Sequence, residues 1–226
     1  MTPLHISRRT LFGTAGLAAC ASPLWMNSAF AVPDAAAAHA MSFRVMRNGD
    51  NIGTHTLAFS GDPAGDLTVT VDVAMTVKLV GISVYRYKHH AVESWKAGQF
   101  TTLDAKADNN GDAAWCTVRR DGASLTVEGS AGKRYTAPGS TLAATHWNKD
   151  ELKGAMINPE NGMLISPKIT DMGNTDVALA SGTKVQAQHF SWRGARSLDL
   201  WYQPSGEWAA LTATGKDGSL ITYERL

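Results

Sequence analysis

The residues best suited to bind a small molecule are concentrated in one stretch of the chain, residues 83–95. In a β-strand, alternate side chains point to opposite faces. One face of this stretch carries Tyr85, Tyr87, His89, Ala91, Glu93 and Trp95. His89 and Glu93 would lie on the same side, about 13 Å apart along the strand. Aromatic rings with a few polar groups among them are typical of ligand-binding surfaces.

The same face has a second interpretation, in which it belongs to an ordinary core. Aromatic ladders are common in β-sheets, and Tyr and Trp would then simply pack on the sheet. Glu93 would pair with an arginine or a backbone donor, because an unpaired buried charge costs several kcal/mol. The pattern therefore predicts a ligand-binding face, with core packing as the alternative.

Other candidate residues lie later in the chain. His146 and Trp147 fall in an irregular segment, where loops often carry function, and packing is the alternative. Trp201, Tyr202 and Trp208 are expected to be core and edge residues. Cys116 lies in an alternating strand pattern and is expected to be a small buried hydrophobic residue.

The motifs support neither a metal site nor a hydrolase active site nor a nucleotide-binding site. His89 and His90 are adjacent in a predicted strand, so they cannot both face one ion together with Glu93. Gly-x-Ser-x-Gly does not occur, and no glycine-rich loop precedes a helix. We therefore expect no metal and no cofactor.

The elements that must position these residues are β-strands. Residues 67–79 alternate apolar and polar side chains over thirteen positions, a length of about 40 Å. Strands of this length bend, which favours an all-β fold built on a strongly curved antiparallel sheet, a half-barrel or open barrel. Asn48-Gly49 predicts a tight hairpin.

Further strands are expected over much of the chain, with one irregular interruption. They are predicted at 41–47, 52–60, 82–96, 100–107, 114–119, 124–129, 133–136, 163–169, 184–192, 196–202, 207–214 and 219–226. Residues 140–157 lack period two and are expected to hold one short helix, Lys149–Met156. We expect a single β domain over 41–226, after a disordered leader at 32–40.

The first 31 residues predict export. Arg8 and Arg9 precede an apolar run, and Ala29-Phe30-Ala31 is typical of a signal-peptidase site. Paired arginines in this position indicate a twin-arginine signal and a periplasmic protein. Leu17-Ala18-Ala19-Cys20 also matches the pattern cut before a lipid-modified cysteine, and membrane association would follow from lipidation of Cys20.

The charge of the chain argues against nucleic acid as a partner. The sequence holds 21 Lys and Arg against 20 Asp and Glu. Loss of Arg8 and Arg9 with the signal leaves 19 against 20, a nearly neutral protein. A phosphate-contacting surface requires clustered basic residues.

Several short motifs resemble an uncharacterised bacterial family of exported proteins of unknown function. They are Phe43-Arg44-Val45, Tyr87-x-His89-x-x-x-Glu93-x-Trp95, Leu200-Trp201-Tyr202, Gly206-x-Trp208 and Ile221-x-Tyr223. The order of elements is distantly similar to the lipoprotein-carrier fold, whose curved antiparallel sheet holds acyl chains on its concave side under a helical lid. The family of exported proteins has no established activity to carry over.

These observations predict a non-catalytic periplasmic protein that binds a hydrophobic or amphipathic, lipid-like ligand. The predicted ligand-binding residues are Tyr85, Tyr87, His89, Glu93, Trp95, His146 and Trp147. One alternative is a structural or partner-binding protein of the cell envelope, with a well-packed interior. A second is a small enzyme, in which His89 and Glu93 would converge with a third polar group.

Overall fold

A computed structural model describes residues 40–62 and 65–226 of the chain. The predicted signal peptide, Cys20 and almost all of the predicted leader lie outside the described residues. The first strand begins at Ala40, so the last residue of the predicted leader already belongs to the sheet.

The described residues form sixteen strands and one 3-10 helix, Lys149–Lys153. The strands are β1 (Ala40–Arg47), β2 (Asp50–Gly61), β3 (Asp66–Leu79), β4 (Ile82–Lys96), β5 (Gln99–Asn109), β6 (Asp112–Asp121), β7 (Ser124–Gly129), β8 (Gly132–Pro138), β9 (Leu142–Ala143), β10 (Met156–Ile157), β11 (Leu164–Ile165), β12 (Lys168–Ala178), β13 (Lys184–Arg193), β14 (Ser197–Tyr202), β15 (Trp208–Thr214) and β16 (Leu220–Arg225). Within this described part of the chain, no helix is long and apolar enough to cross a membrane.

Thirteen of the strands form one antiparallel sheet in the order β12-β13-β14-β15-β16-β1-β2-β3-β4-β5-β6-β7-β8. Neighbours in the sheet are neighbours in sequence, except that β16 pairs with β1 and so joins the two ends of the described chain. The sheet is not closed, and β12 and β8 are its edges. The predicted all-β, strongly curved antiparallel sheet is confirmed.

The interior of the curved sheet is filled by the segment that connects its two edges. This interior segment, residues 139–167, carries β9, β10, β11 and the 3-10 helix. Its side chains Trp147, Met156 and Ile157 are fully buried in the same hydrophobic core as the concave face of the sheet. The irregular segment of the sequence is therefore a core element and not a lid.

Two local predictions were wrong. The helix predicted over Lys149–Met156 is a single 3-10 turn that ends at Lys153, because Met156 leaves it to pair with Leu142 of β9. The strand predicted at 163–169 is divided between β11 in a small three-stranded sheet and β12 of the large sheet, which begins at Lys168 and runs to Ala178. Its second half is polar and exposed, a composition that suits the edge of a sheet but lacks the alternation that predicts strands.

The alternation predicted over residues 67–79 holds for the first half of β3, whereas Met75 and Val77 are half-buried and Leu79 is exposed. Leu67, Val69, Val71 and Val73 of β3 are buried, while the residues between them face outward. On β4, burial alternates in the same way from His89 to Trp95. Cys116 is a free, buried thiol, as expected, and burial raises its pKa to about 12.

Candidate functional site

Two buried histidines lie in one row on the concave face of the sheet. The register pairs His55 of β2 with Val73 of β3, and Val73 with His89 of β4. Two strand spacings therefore separate the histidine backbones, about 10 Å. Only 5% of His55 and 7% of His89 is exposed.

Three ring nitrogens of these histidines have no hydrogen-bond partner among the described residues. They are Nδ1 and Nε2 of His55 and Nε2 of His89. His89 also forms a hydrogen bond with the backbone of Pro159. Proline has only a carbonyl to offer, so Nδ1 of His89 donates and Nε2 is left as a free acceptor.

Both imidazoles are neutral at physiological pH. Burial lowers the pKa of His55 to about 3, with His146 and His89 contributing further in the same direction. Burial also lowers the pKa of His89, against the opposing effects of Pro159 and Glu160. A buried polar atom without a partner costs about 1–3 kcal/mol, so these three nitrogens are expected to have polar partners.

Tyrosines lie beside these histidines, one row further along the strands. The register runs from Tyr223 through Val45, Gly53 and Met75 to Tyr87. The Tyr223 ring centroid is 5.7 Å from that of His55, and the Tyr87 centroid is 6.5 Å from that of His89. We call His55, His89, Tyr85, Tyr87 and Tyr223 the tyrosine–histidine cluster.

The tyrosines of the cluster are half-buried, so solvent reaches it from one side. Burial raises the pKa of Tyr223 to about 12 and also raises the pKa of Tyr87 and of Tyr85. All three phenols are therefore neutral. Gly53 contributes no side chain to the row, and a Cβ at this position would collide with the backbone of Ala74 and Met75 in β3.

A chain of polar contacts runs along the open side of the cluster. Tyr85 Oη donates to Asn109 Oδ1 (2.9 Å), and Asn109 Nδ2 donates to Glu160 Oε1 (3.5 Å). Glu160 also accepts a hydrogen bond from Arg196 Nη2 at 3.3 Å. Glu160 belongs to the interior segment, and Arg196 lies between β13 and β14, so this chain joins three separate parts of the fold.

Glu93 lies further along the same face and is completely enclosed. Only 1% of it is exposed. Its Oε2 accepts hydrogen bonds from the indole N–H groups of Trp95 (3.0 Å) and Trp147 (3.1 Å). Its Oε1 accepts a bond from the hydroxyl of Thr145 (2.5 Å). Burial raises the pKa of Glu93 to about 7, although these three hydrogen bonds act in the opposite direction.

His146 is also held on several sides. Its Nδ1 lies 2.7 Å from Glu151 Oε1, and its backbone N–H donates to Glu151 Oε2 at 2.9 Å. Its carbonyl accepts a hydrogen bond from Tyr202 Oη at 2.9 Å. Its backbone adopts a left-handed conformation, φ 68°, and its ring packs edge-on against Trp192.

The seven predicted ligand-binding residues thus fall into two groups. Tyr85, Tyr87 and His89 lie in the tyrosine–histidine cluster. The other four, Glu93, Trp95, His146 and Trp147, lie where the interior segment packs on the sheet.

The sequence does not single out His55, Tyr223, Glu160 and Arg196 as candidate site residues. His55 alternates with Leu57 and Phe59, so it is placed on a core face, but only the register shows that it lies in one row with His89.

A concavity of about 390 Å³ lies on the opposite, outer face of the sheet. Side chains of both charges line it, among them Asp72, Lys88, Lys106 and Asp108. His90 is there too, with its Nδ1 2.7 Å from Asp72 Oδ1. These five side chains are exposed to solvent, so the concavity lacks the enclosed apolar surface of the concave side.

Fold and site together define an open, barrel-like antiparallel sheet filled by its own connecting segment. The chain belongs to a family described as a domain of unknown function (DUF6134), whose model matches residues 43–226. Its structure is similar to the crystal structure of a beta-barrel-like protein of domain of unknown function DUF1849 from Brucella abortus. The TM-score is 0.58 at 10% identity, over 84% of this chain and 95% of that one, and this likeness concerns the fold alone. Comparison with curated proteins gives no significant match.

Proposed function

We propose that the protein is a non-catalytic binding protein for an amphipathic, lipid-like ligand, held at the tyrosine–histidine cluster. The observation that carries this proposal is the set of three buried imidazole nitrogens, without partners among the described residues, beside half-buried tyrosines. The polar head of the ligand would satisfy His55 and His89. Its apolar body would lie against the tyrosine rings and Met75.

The protonation states of His55 and His89 restrict which chemical groups can form the polar head of the ligand. The free Nε2 of His89 needs a donor, whereas neutral His55 offers one donor and one acceptor. The three nitrogens together require two donors and one acceptor, which a pair of hydroxyl groups supplies without a charge. A monoacylglycerol, with hydroxyls at one end and one alkyl chain, is a suitable probe.

Glu93, Trp95, Thr145 and Trp147 have a different role in this proposal. Their side-chain hydrogen bonds are made to one another, and Glu93 is only 1% exposed, so a ligand does not reach its carboxylate without displacing them. They anchor the interior segment to β4, and the segment in turn holds Glu160 beside the cluster. Export by the twin-arginine route to the periplasm, and the choice between a free protein and one lipidated at Cys20, remain part of this proposal.

The test is a titration of the mature chain with 1-monolauroylglycerol below its critical micelle concentration. Binding is monitored by tryptophan fluorescence and by calorimetry. Trp208 reports on the site because its ring centroid is 5.2 Å from that of His55. His55→Phe and His89→Phe replace the free nitrogens with apolar atoms, and each should weaken binding at least tenfold. His90→Gln is the matched control, because His90 neighbours His89 but faces outward.

Native mass spectrometry of the protein purified from cells gives an independent result. A lipid-sized adduct in the wild type that is lost in His55→Phe supports the proposal. Equal titrations for all four proteins, together with an apo mass, would overturn it and would indicate that only water satisfies the histidines.

A structural or partner-binding role is the second candidate, and the filled interior favours it. Trp147, Met156 and Ile157 occupy the space that an acyl carrier would leave open. In that case His55→Phe would raise stability and change no binding. The enzyme alternative requires His89 and Glu93 to converge, but the three hydrogen-bond partners of Glu93 do not include His89.

A further inference from the structure

The hairpin between β3 and β4 extends beyond the strands on both sides of it. The last β3 residue paired with β2 is Met75, and the first β4 residue paired with β5 is Tyr87. Residues 76–86, which we call the arm, pair only with each other beyond these points. At the base of the arm, Arg86 bonds the turn residue Asn110.

The tip of the arm is apolar and exposed. Val80 is 94% exposed, Ile82 is 70% exposed and Leu79 is 66% exposed, and Val84 is also exposed. Exposed turns normally carry polar residues. Four large apolar side chains at one protruding tip therefore indicate an interaction site.

The turn holds one of its residues in an unfavourable backbone conformation. Val80 has φ 51° and Gly81 has φ 80°, so both central residues are left-handed. Glycine adopts this conformation freely, but it is an outlier for a β-branched residue. Two other hairpin turns of this chain place asparagine at the equivalent position, Asn48 before Gly49 and Asn110 before Gly111, and the β4–β5 turn places the small residue Ala97 before Gly98. An apolar side chain has been placed where the turn favours a polar one.

The arm is also basic. Lys78 and Arg86 lie on it and Lys88 follows at its base, while no Asp or Glu occurs between Asp72 and Glu93. None of the three cations forms an ion pair with any described residue. Lys88 is opposite Asp108 in the register, but Lys78 and Arg86 lie beyond the end of β5, where no neighbouring strand of the described chain supplies a carboxylate.

We infer that the arm docks on an anionic phospholipid bilayer. The tip side chains Leu79, Val80 and Ile82 would enter the acyl region, and Lys78 and Arg86 would meet the anionic headgroups. An apolar tip with cations behind it complements the two layers of such a membrane surface. The residues that would contact the membrane, Leu79, Val80 and Ile82 at the tip and Lys78 and Arg86 behind it, are not members of the tyrosine–histidine cluster, so they can be changed without altering the proposed ligand site.

The experiment is co-sedimentation of the mature, unlipidated chain, with Cys20 absent, on two kinds of vesicle. One kind contains equal parts of phosphatidylglycerol and phosphatidylcholine, and the other contains phosphatidylcholine alone. We expect binding at least tenfold stronger on the anionic vesicles. Each cation near the surface contributes roughly fivefold, so Lys78→Gln with Arg86→Gln should lower affinity by more than tenfold.

The apolar tip is tested with Val80→Asn combined with Ile82→Thr. Asparagine immediately before Gly81 gives the preferred hairpin turn, so this variant should fold at least as stably as the wild type. It should lose anionic-vesicle binding by at least tenfold. Met172→Asn is the control, because Met172 is also exposed but lies on the edge strand β12.

Three results would overturn the inference. They are equal binding to both kinds of vesicle, unchanged binding by the tip variant, and a concentration-dependent dimer of the wild type that the tip variant abolishes. The last would assign the tip to a second copy of the chain. The monoacylglycerol titration of the tip variant should match the wild type, which separates failure of this inference from failure of the ligand proposal.

Discussion

The indole Nε1 of Trp147 donates a hydrogen bond to Oε2 of Glu93 across 3.1 Å, although 54 positions separate the two residues in the chain. Trp95 donates to the same oxygen and Thr145 to the other. The Glu93 carboxylate therefore satisfies three buried donors, two of which belong to the interior segment. This contact fixes the interior segment on β4, and its loss should lower the free energy of unfolding of the whole domain.

Glu93→Leu should destabilise the protein far more than Glu93→Gln. Leucine leaves two indole N–H groups and one hydroxyl without acceptors, at about 1–3 kcal/mol each. Glutamine keeps the shape, accepts from both indoles with its oxygen and donates to the Thr145 hydroxyl with its nitrogen. Urea unfolding at pH 7 should show a loss of at least about 3 kcal/mol for leucine and about 1 kcal/mol or less for glutamine. Equal losses would mean that packing, and not hydrogen bonding, determines the role of this residue.

Glu93 also predicts a pH dependence of stability. Its pKa is about 7 in the folded protein against an ordinary value of 4.5. Between these two values the folded state holds a proton that the unfolded state has released. The contribution of Glu93 is therefore fully present below pH 4.5 and is lost as the pH rises through 7, by about 3 kcal/mol in total.

The measurement is the free energy of unfolding of the wild type and of Glu93→Gln at several pH values from about 4.5 to 8. Subtracting the two curves removes other groups, including His55, whose lowered pKa makes stability rise with pH between about 3 and 6.5. The wild type should lose stability relative to the glutamine variant as pH rises. Parallel curves would show that burial does not raise the pKa of Glu93.

The sequence predicted the strands because their signals are local. The alternation of Leu67, Val69 and Val71 and the turn at Asn48-Gly49 depend on neighbours in the chain. Half of β12 was missed, because an edge strand exposed on both faces has no apolar period to detect.

The candidate site was predicted only in part, because it depends on contacts between distant residues. His89 was found on its own strand, but His55 and Tyr223 join it only through the pairing of β16, β1, β2, β3 and β4. Nothing local to Glu93 shows that Trp147 will bond to it. The two residues are 54 positions apart and are brought together only by the topology of the fold. Rules based on local residue spacing do not predict such a contact.

Gly53 supplies a last test, because it lies in the register row between Tyr223 and Tyr87 and closely approaches the β3 backbone. A Cβ at this position would lie 1.9 Å from the backbone oxygen of Ala74, a contact that no side-chain rotation relieves. Gly53→Ala should therefore force β2 and β3 apart and cost about 3 kcal/mol. Gly154→Ala is the matched control, since a Cβ there meets nothing within 4 Å and its φ of −166° suits any residue. Thermal unfolding of both variants should show a clear loss for Gly53→Ala and almost no change for Gly154→Ala, and equal midpoints would contradict the close approach of these strands.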